Sequence, residues 1–244
     1  MNLKIKQWKV HTLGDHAIVF ALEQKISPLI VNEIAALHSF IISKKIKGII
    51  DIIPAYHTLT LVYDIINFTN NNNNSISEQI NLMCTTLLNE FNNAPKINNS
   101  IQATIINVPV CYDPSFALDI QNLSTLHNIK TSEIIKIHSS KVYEIYSIGF
   151  LPGFPYMGII DERIQTPRHD KPRPLVPAGS VGIAGQQTGI YPSDCPGGWQ
   201  ILGRTPWKIF DPNENKLAKF KVGDQIKFYA ITIADFIKMN EHQL

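Results

Sequence analysis

Apolar positions recur at two different spacings in the first hundred residues. Residues 3–8, where Leu3, Ile5 and Trp8 are interleaved with polar positions, and the apolar run 17–22 are of strand length and predict two strands. Ser27-Pro28 then opens a run in which Ile30, Ile34, Leu37 and Ile41 share one face, with Ser27 as N-cap and Pro28 in the first turn. Lys44, Lys45 and Lys47 sit where a helix C-terminus favours positive charge, and Gly48 ends the run. Strands over 49–53 and 58–63 follow, with Pro54 as punctuation between them. A second helix starts at Ser75, whose spacing to Glu78 is that of a capping box, and its apolar face carries Ile80, Met83, Leu87 and Phe91. The order β, β, α, β, β, α predicts a small α+β domain over 1–95, with helices on one side of an antiparallel or mixed sheet.

Two polar runs interrupt the pattern. The five asparagines at 70–74 read as a loop insertion, and NNAPKINNS at 92–100 reads as a linker. A second domain, 101–244, is predicted to open with a strand at 103–110, two short helices beginning near Asp113-Pro114 and Thr131, and a strand at 142–148. Beyond that the signals are all strand and turn, with short strands at 207–210, 217–220 and 225–231. Closely spaced short strands predict a barrel or sandwich. Between them, residues 149–212 hold ten of the thirteen glycines and ten of the fifteen prolines. Glycine admits positive φ and proline fixes φ, so this stretch predicts long, rigid connecting loops of the kind that carry binding and chemistry.

Composition narrows the partners only slightly. A hydrophobic content of 44% is ordinary for a packed protein, and a net charge of +2 from 22 basic and 20 acidic residues gives no field that argues for nucleic acid or an anionic membrane. Cys84, Cys111 and Cys195 are far apart and form no C-x-x-C pair, so neither a disulfide framework nor a thiolate metal site is indicated. The N-terminus has no apolar segment behind its lysines, and the most apolar stretch is broken by Lys44, Lys45, Lys47 and Asp51; no signal peptide and no membrane span are expected, and a reducing cytoplasm is the simplest compartment.

No phosphate-binding loop, dinucleotide fingerprint, H-E-x-x-H or G-x-S-x-G is present. The run from Gly179 to Gly189 either presents successive N–H groups to an anion or simply turns barrel corners. Arg168, His169, Lys171 and Arg173 cluster on a segment stiffened by three prolines, as a recognition loop for an anion or as a solvated basic loop. Arg204, between apolar strand residues, is either an ion-paired structural group or a ligand anchor. Phe154, Tyr156 and Trp199 either wall a pocket for a small planar ring or belong to the core.

The segments GFLPGFPYMG, PRPLVPAGSVGIAGQQTGIYP and PGGWQILGRTPWKIFDP resemble the family that contains the B subunit of 5-oxoprolinase, the Kip-type histidine kinase inhibitor and allophanate hydrolase subunit 1, also known as the carboxyltransferase subdomain A/B family. Gly14-Asp15-His16-Ala17, Ile53-Pro54-Ala55-Tyr56 and Val108-Pro109-Val110-Cys111-Tyr112 extend the likeness over essentially the whole chain. The resemblance implies an N-terminal α+β domain followed by a cyclophilin-like β-barrel. It also implies a cytoplasmic B subunit that acts with the C and A subunits of 5-oxoprolinase, using ATP with magnesium, to open 5-oxoproline to L-glutamate. The family's other activities, kinase inhibition and allophanate hydrolysis, are the alternatives. With an anionic lactam as substrate, residue chemistry assigns Arg168, Lys171 and Arg204 to charge neutralisation. Gly182 and its loop would donate N–H groups, and Gln186, Thr188 and Tyr191 would contact or orient the ring. One departure stands out: where the family tends towards G-G-x-F-G-x-D-L, this chain has Asp113-Pro114-Ser115-Phe116-Ala117-Leu118-Asp119. Nothing in the sequence names a catalytic base.

Overall fold

The computed structural model describes residues 8–68, 75–94, 105–214 and 217–241, and the chain divides into two compact units, Met1–Ile101 and Gln102–Leu244. In the first unit β1 (Lys9–Thr12), β2 (Ala17–Ala21), β3 (Ile49–Pro54) and β4 (Thr58–Tyr63) form an antiparallel sheet in the order β1-β2-β4-β3. Helix α1 (Pro28–Lys44) buries Val31, Ile34, Leu37 and Ile41. After a short helix α2 (Ile65–Phe68), α3 (Ile76–Asn93) buries Ile80, Cys84 and Leu87 in the same core as Phe20, Leu59 and Leu61 of the sheet. The capping box at Ser75 is complete: the Ser75 hydroxyl accepts from the Glu78 N–H, and Glu78 accepts from the Ser75 N–H at 2.9 Å.

The sequence pattern and the structure part at several places here. The strand expected at 3–8 lies outside the described residues except for Trp8, which precedes β1. Ser27 makes no side-chain cap, and α1 ends on Lys45 in the left-handed region (φ 47°), three residues before Gly48. Pro54, read as punctuation, is the last residue of β3, an edge strand where its missing N–H faces no partner. The asparagine run at 70–74 lies outside the described residues, and Asn92 and Asn93, read as the start of the linker, are the last two residues of α3.

The second unit contains β5 (Ile105–Cys111), α4 (Ile120–His127), α5 (Thr131–Ser140), β6 (Val142–Ile148), β7 (Pro155–Gly158), β8 (Arg173–Val176), β9 (Ser180–Ala184), β10 (Gln187–Ile190), β11 (Cys195–Gly197), β12 (Gln200–Arg204), β13 (Gln225–Ile231) and α6 (Ile233–Glu241). Seven of these strands close a barrel in the order β10-β7-β6-β13-β5-β12-β9, while β8 and β11 pair separately as a ribbon. All the barrel pairs are antiparallel but one: β13 runs parallel to β5 over seven residues, from Gln225 beside Ile105 to Ile231 beside Cys111. Inward-facing Val108, Val110, Tyr143, Ile145, Met157, Val181, Ile183, Ile190, Leu202, Ile226 and Phe228 fill the interior, so the barrel is a packed core and not a channel.

The fold is therefore α+β with a closed barrel, and the glycine- and proline-dense stretch is the main correction to the sequence reading. It supplies six strands, β7 to β12, where rigid connecting loops were expected. Glycine there permits strands to approach: a Cβ on Gly203 would lie 2.6 Å from the Cys111 carbonyl oxygen, and one on Gly189 would lie 2.9 Å from Phe154. A bulge between Ile201 and Gly203 bends β12 at the same point. Conversely, residues 207–210 and 217–220 form no strands; an isolated bridge joins Phe210 to Ala218. The helix expected near Asp113 begins at Ile120, because Asp113 closes a turn on Ser115 and Phe116. Helix α6 was not anticipated; Thr232 caps it through Asp235, and Phe236 packs on Phe116 with centroids 4.5 Å apart.

Candidate functional site

Asp119 is the most constrained charged residue of the second unit. It precedes α4 and is fully buried. Its backbone and one carboxylate oxygen clamp the peptide of Ile201 on β12: the Asp119 N–H donates to the Ile201 carbonyl at 3.0 Å, and the Ile201 N–H donates to Oδ2 at 2.6 Å. The other oxygen, Oδ1, accepts from Arg173 Nη2 at 2.5 Å and from His169 Nε2 at 3.2 Å. A buried carboxylate needs such partners, and here two backbone bonds fix the acid while two cationic or titratable side chains meet its free oxygen. Arg173 Nη1 is buried without a partner, and the Arg173 and His169 side chains each keep 28% of their surface exposed. The charged cluster thus begins in the interior and ends at the surface.

The loop from Arg168 to Arg173 is held by bonds to the β11–β12 turn and the first residue of β12. The His169 N–H donates to the Gly198 carbonyl at 2.8 Å, and the Gln200 side chain donates to the Pro167 carbonyl at 3.0 Å. Beneath it, Phe154, Tyr191 and Trp199 form a buried aromatic group on the outer face of the barrel, with Phe154 edge-on to both others at 5.2 and 5.4 Å. Tyr156 lies half-exposed at its margin, 5.9 Å from Trp199. Burial raises the phenol pKa values of Tyr156 and Tyr191, the latter to about 12, while the positive charge of Arg168 acts on both in the opposite direction.

Of the residues singled out from sequence, Arg168 and Lys171 are exposed on this loop. Gly182 lies on the outer face of β9, where a Cβ would come within 3.3 Å of Trp199. Gln186 is exposed at the β9–β10 turn, and its carbonyl accepts from the Ile160 N–H. Tyr191 is buried; its oxygen lies against Gly197 and the Trp199 backbone, so it supports the site from below and does not line it. Thr188 points into the barrel, where it donates to the Gly182 carbonyl at 3.0 Å and meets His138 Nε2 at 2.9 Å; its hydroxyl is committed to the core. Arg204 lies three residues beyond Ile201 on β12, about 10 Å along the strand. Its Nε donates to the Ala178 carbonyl at 2.7 Å, and its guanidinium lies 5.9 Å from the Phe116 ring, so it braces the Pro177–Gly179 turn at the other end of the strand. Among the described residues it makes no ion pair. Sequence reasoning missed Asp119, although the D of the family's G-G-x-F-G-x-D-L run was the available signal.

Among the described residues no group of three or more His, Cys, Asp or Glu is placed to hold a metal ion, and no helix is long and apolar enough to cross a membrane.

The family model described as "Carboxyltransferase domain, subdomain C and D" matches residues 8–220. The chain belongs to this family. The subdomain letters are C and D, where the sequence reading had A and B. This carboxyltransferase-domain chain is 35% identical over 233 residues to the 5-oxoprolinase B subunit of Bacillus subtilis, spanning 94% of this chain and 95% of that one. It is 43% identical to the 5-oxoprolinase B subunit of Haemophilus influenzae over 130 residues, 53% of this chain and 61% of the relative. A solved structure, that of TTHA0988, matches 88% of the chain with a TM-score of 0.73 and 27% identity; the present chain spans 40% of that longer one.

Proposed function

We propose that this chain is the B subunit of an ATP-dependent 5-oxoprolinase, working in the cytoplasm with the C and A subunits to open 5-oxoproline to L-glutamate. The observation that carries this reading is the end-to-end similarity to the Bacillus subtilis B subunit of 5-oxoprolinase, 35% identical over 94% of the chain. The site supports it chemically. 5-Oxoproline is a small flat lactam with one carboxylate, and the surface around Arg168 offers a guanidinium fork, the half-exposed ring of Tyr156, and a second cation at Lys171. Gly182 lets Trp199 sit flush against β9 and so sets the floor below that surface. Gln186 is within the same unit but at the turn of the next hairpin, where it would contact only an extended ligand or a partner subunit.

The amide of a lactam is resonance-stabilised, so ATP would serve by phosphorylating its oxygen and making the ring carbon a better electrophile. Among the described residues no group of three or more His, Cys, Asp or Glu is placed to hold the magnesium that accompanies ATP. The test is reconstitution of the full assembly with the C and A subunits. The expected result is ATP hydrolysis that depends on 5-oxoproline and yields glutamate, with Arg168→Ala raising KM. Absence of that activity sinks the reading; inhibition of a sensor kinase by the isolated chain, or turnover of allophanate, would replace it with one of the family's other activities.

A further inference from the structure

We propose that His169 is the proton-accepting base of the ring-opening step, with Asp119 and Arg173 as the residues that position it; this rests on the 5-oxoprolinase reading above. The geometry starts from Asp119, whose Oδ2 is taken by the Ile201 N–H, leaving Oδ1 to face Arg173 and His169. Arg173 and His169 face the same carboxylate oxygen, and a carboxylate oxygen between a guanidinium and an imidazole accepts hydrogen bonds from both. The contact at 3.2 Å is made by an Nε2–H donating to Oδ1, so the neutral form of this imidazole is the Nε2–H tautomer, with Nδ1 as its free acceptor. Among the described residues nothing bonds Nδ1, and the ring is partly exposed. Its backbone is pinned by the Gly198 carbonyl, and the neighbouring residue in the chain is Arg168, the group proposed to hold the substrate carboxylate. A carboxylate that orients a partly exposed imidazole, whose second nitrogen is left unbonded, is an arrangement suited to acid–base catalysis. His138 differs in having both ring nitrogens engaged: its partners are Tyr112 and Thr188 in the core.

In the step, the lactam oxygen carries the phosphoryl group delivered from ATP by the assembly. Water attacks the ring carbon; its O–H bond breaks, the proton goes to Nδ1 of His169, and the C=N electron pair moves onto nitrogen. The tetrahedral adduct then collapses. The C–N bond breaks, nitrogen takes the proton from Nδ1, the remaining hydroxyl loses its proton to solvent as the carbonyl forms, and the product is an acyl phosphate with a free amine. A second water hydrolyses the acyl phosphate to glutamate and inorganic phosphate. His169 ends neutral, and no electrons are gained or lost.

The experiment uses the reconstituted assembly. H169Q is expected to lower kcat by about 100-fold or more with KM little changed, the range that loss of one general base produces. H169G is expected to be equally slow and to recover activity with added imidazole, which a merely structural histidine would not do. A loss under about tenfold in H169Q, or an assembled H169G that imidazole leaves unmoved, overturns the assignment. A measurement on the unmutated chain guards against misfolding: nitrogen NMR of His169 is expected to show a protonated Nε2 and a bare Nδ1, and the opposite tautomer overturns the proposal. An inactive wild-type assembly overturns both readings together, whereas an active one with an undiminished H169Q overturns only the role of His169.

Discussion

Tyr112 and His138 meet in the buried core of the second unit, the phenol oxygen 2.8 Å from Nδ1. Thr188 Oγ1, which donates to the Gly182 carbonyl, accepts from Nε2, and because burial holds the imidazole neutral the phenol donates to Nδ1. The ring stacks on Phe228 at 4.7 Å, and Tyr143 donates to the His138 carbonyl at 2.9 Å. A relay of hydrogen bonds with one direction of donation thus runs from Tyr112, just after β5, through His138 of α5 to Thr188 of β10, and Tyr143 ties α5 to β6 beside it. Burial lowers the His138 pKa to about 3.

That depression fixes a pH dependence. Below the ordinary histidine pKa the unfolded chain binds a proton at this position and the folded chain does not, so folding stability falls as pH drops from about 6 towards 3, by about 1.4 kcal/mol per unit, and levels below that. Stability from this group is fully present at neutral pH. Urea midpoints of wild type and His138→Phe at about pH 7, 5.5 and 4 are expected to converge as pH falls, because the variant has no proton to bind there. A difference that stays constant with pH would contradict a neutral buried His138.

The glycines of the second unit should separate into two kinds. Gly203→Ala would drive a methyl group into the Cys111 carbonyl, a backbone atom with little room to move, and is expected to cost about 3 kcal/mol. Gly185→Ala meets nothing within 4 Å but keeps a φ of 55°, and is expected to cost about 1 kcal/mol. Thermal melting of the two variants ranks them.

This contrast also shows what the sequence could and could not convey. The density of glycine in 149–212 was plain, yet composition alone does not distinguish a glycine that turns a corner from one that lets two strands touch. The second kind has no local signature, because its reason is Cys111 or Phe154, tens of residues away. The first-unit helices were legible because their reasons are local: a capping box within four residues and apolar positions one turn apart. The basic loop was legible as a cluster, but its anchor was not, since Asp119 lies 50 residues upstream of His169 and only the barrel brings them together. Thr188 and Tyr191 looked like ligand contacts for the same reason; nothing nearby in sequence marks them as facing inward or covered.

Removing Asp119 should expose its coupling to Arg173. Asp119→Ala is expected to cost about 3 kcal/mol, since it strands a partly buried guanidinium and an Ile201 N–H. The double variant Asp119→Leu with Arg173→Met should cost less than the two single changes added together, by about 1–3 kcal/mol. Denaturant titration of the four proteins completes the cycle, and simple additivity would show that the pair does not interact.

In the first unit Ser75→Ala removes the side-chain acceptor for the Glu78 N–H and is expected to cost about 1 kcal/mol, with Ser75→Asp retaining most of that stability. Helicity followed by circular dichroism during urea unfolding reads the difference.

The parallel pairing of β5 with β13 sets the order in which this protein can be made. The strand that opens the second unit finds one of its two neighbours only when residues 225–231 have been synthesised, more than a hundred positions later. Until then β5 has only the single Arg204–Cys111 register point with β12 to hold it, and β6 lacks β13 on its open side. A nascent chain stalled or truncated before Gln225 would therefore carry a gap in its ring of strands, with Val108, Val110 and Ile145 beside it. Loss of β13 would act on the whole unit, and translation must pass residue 231 before the ring can shut.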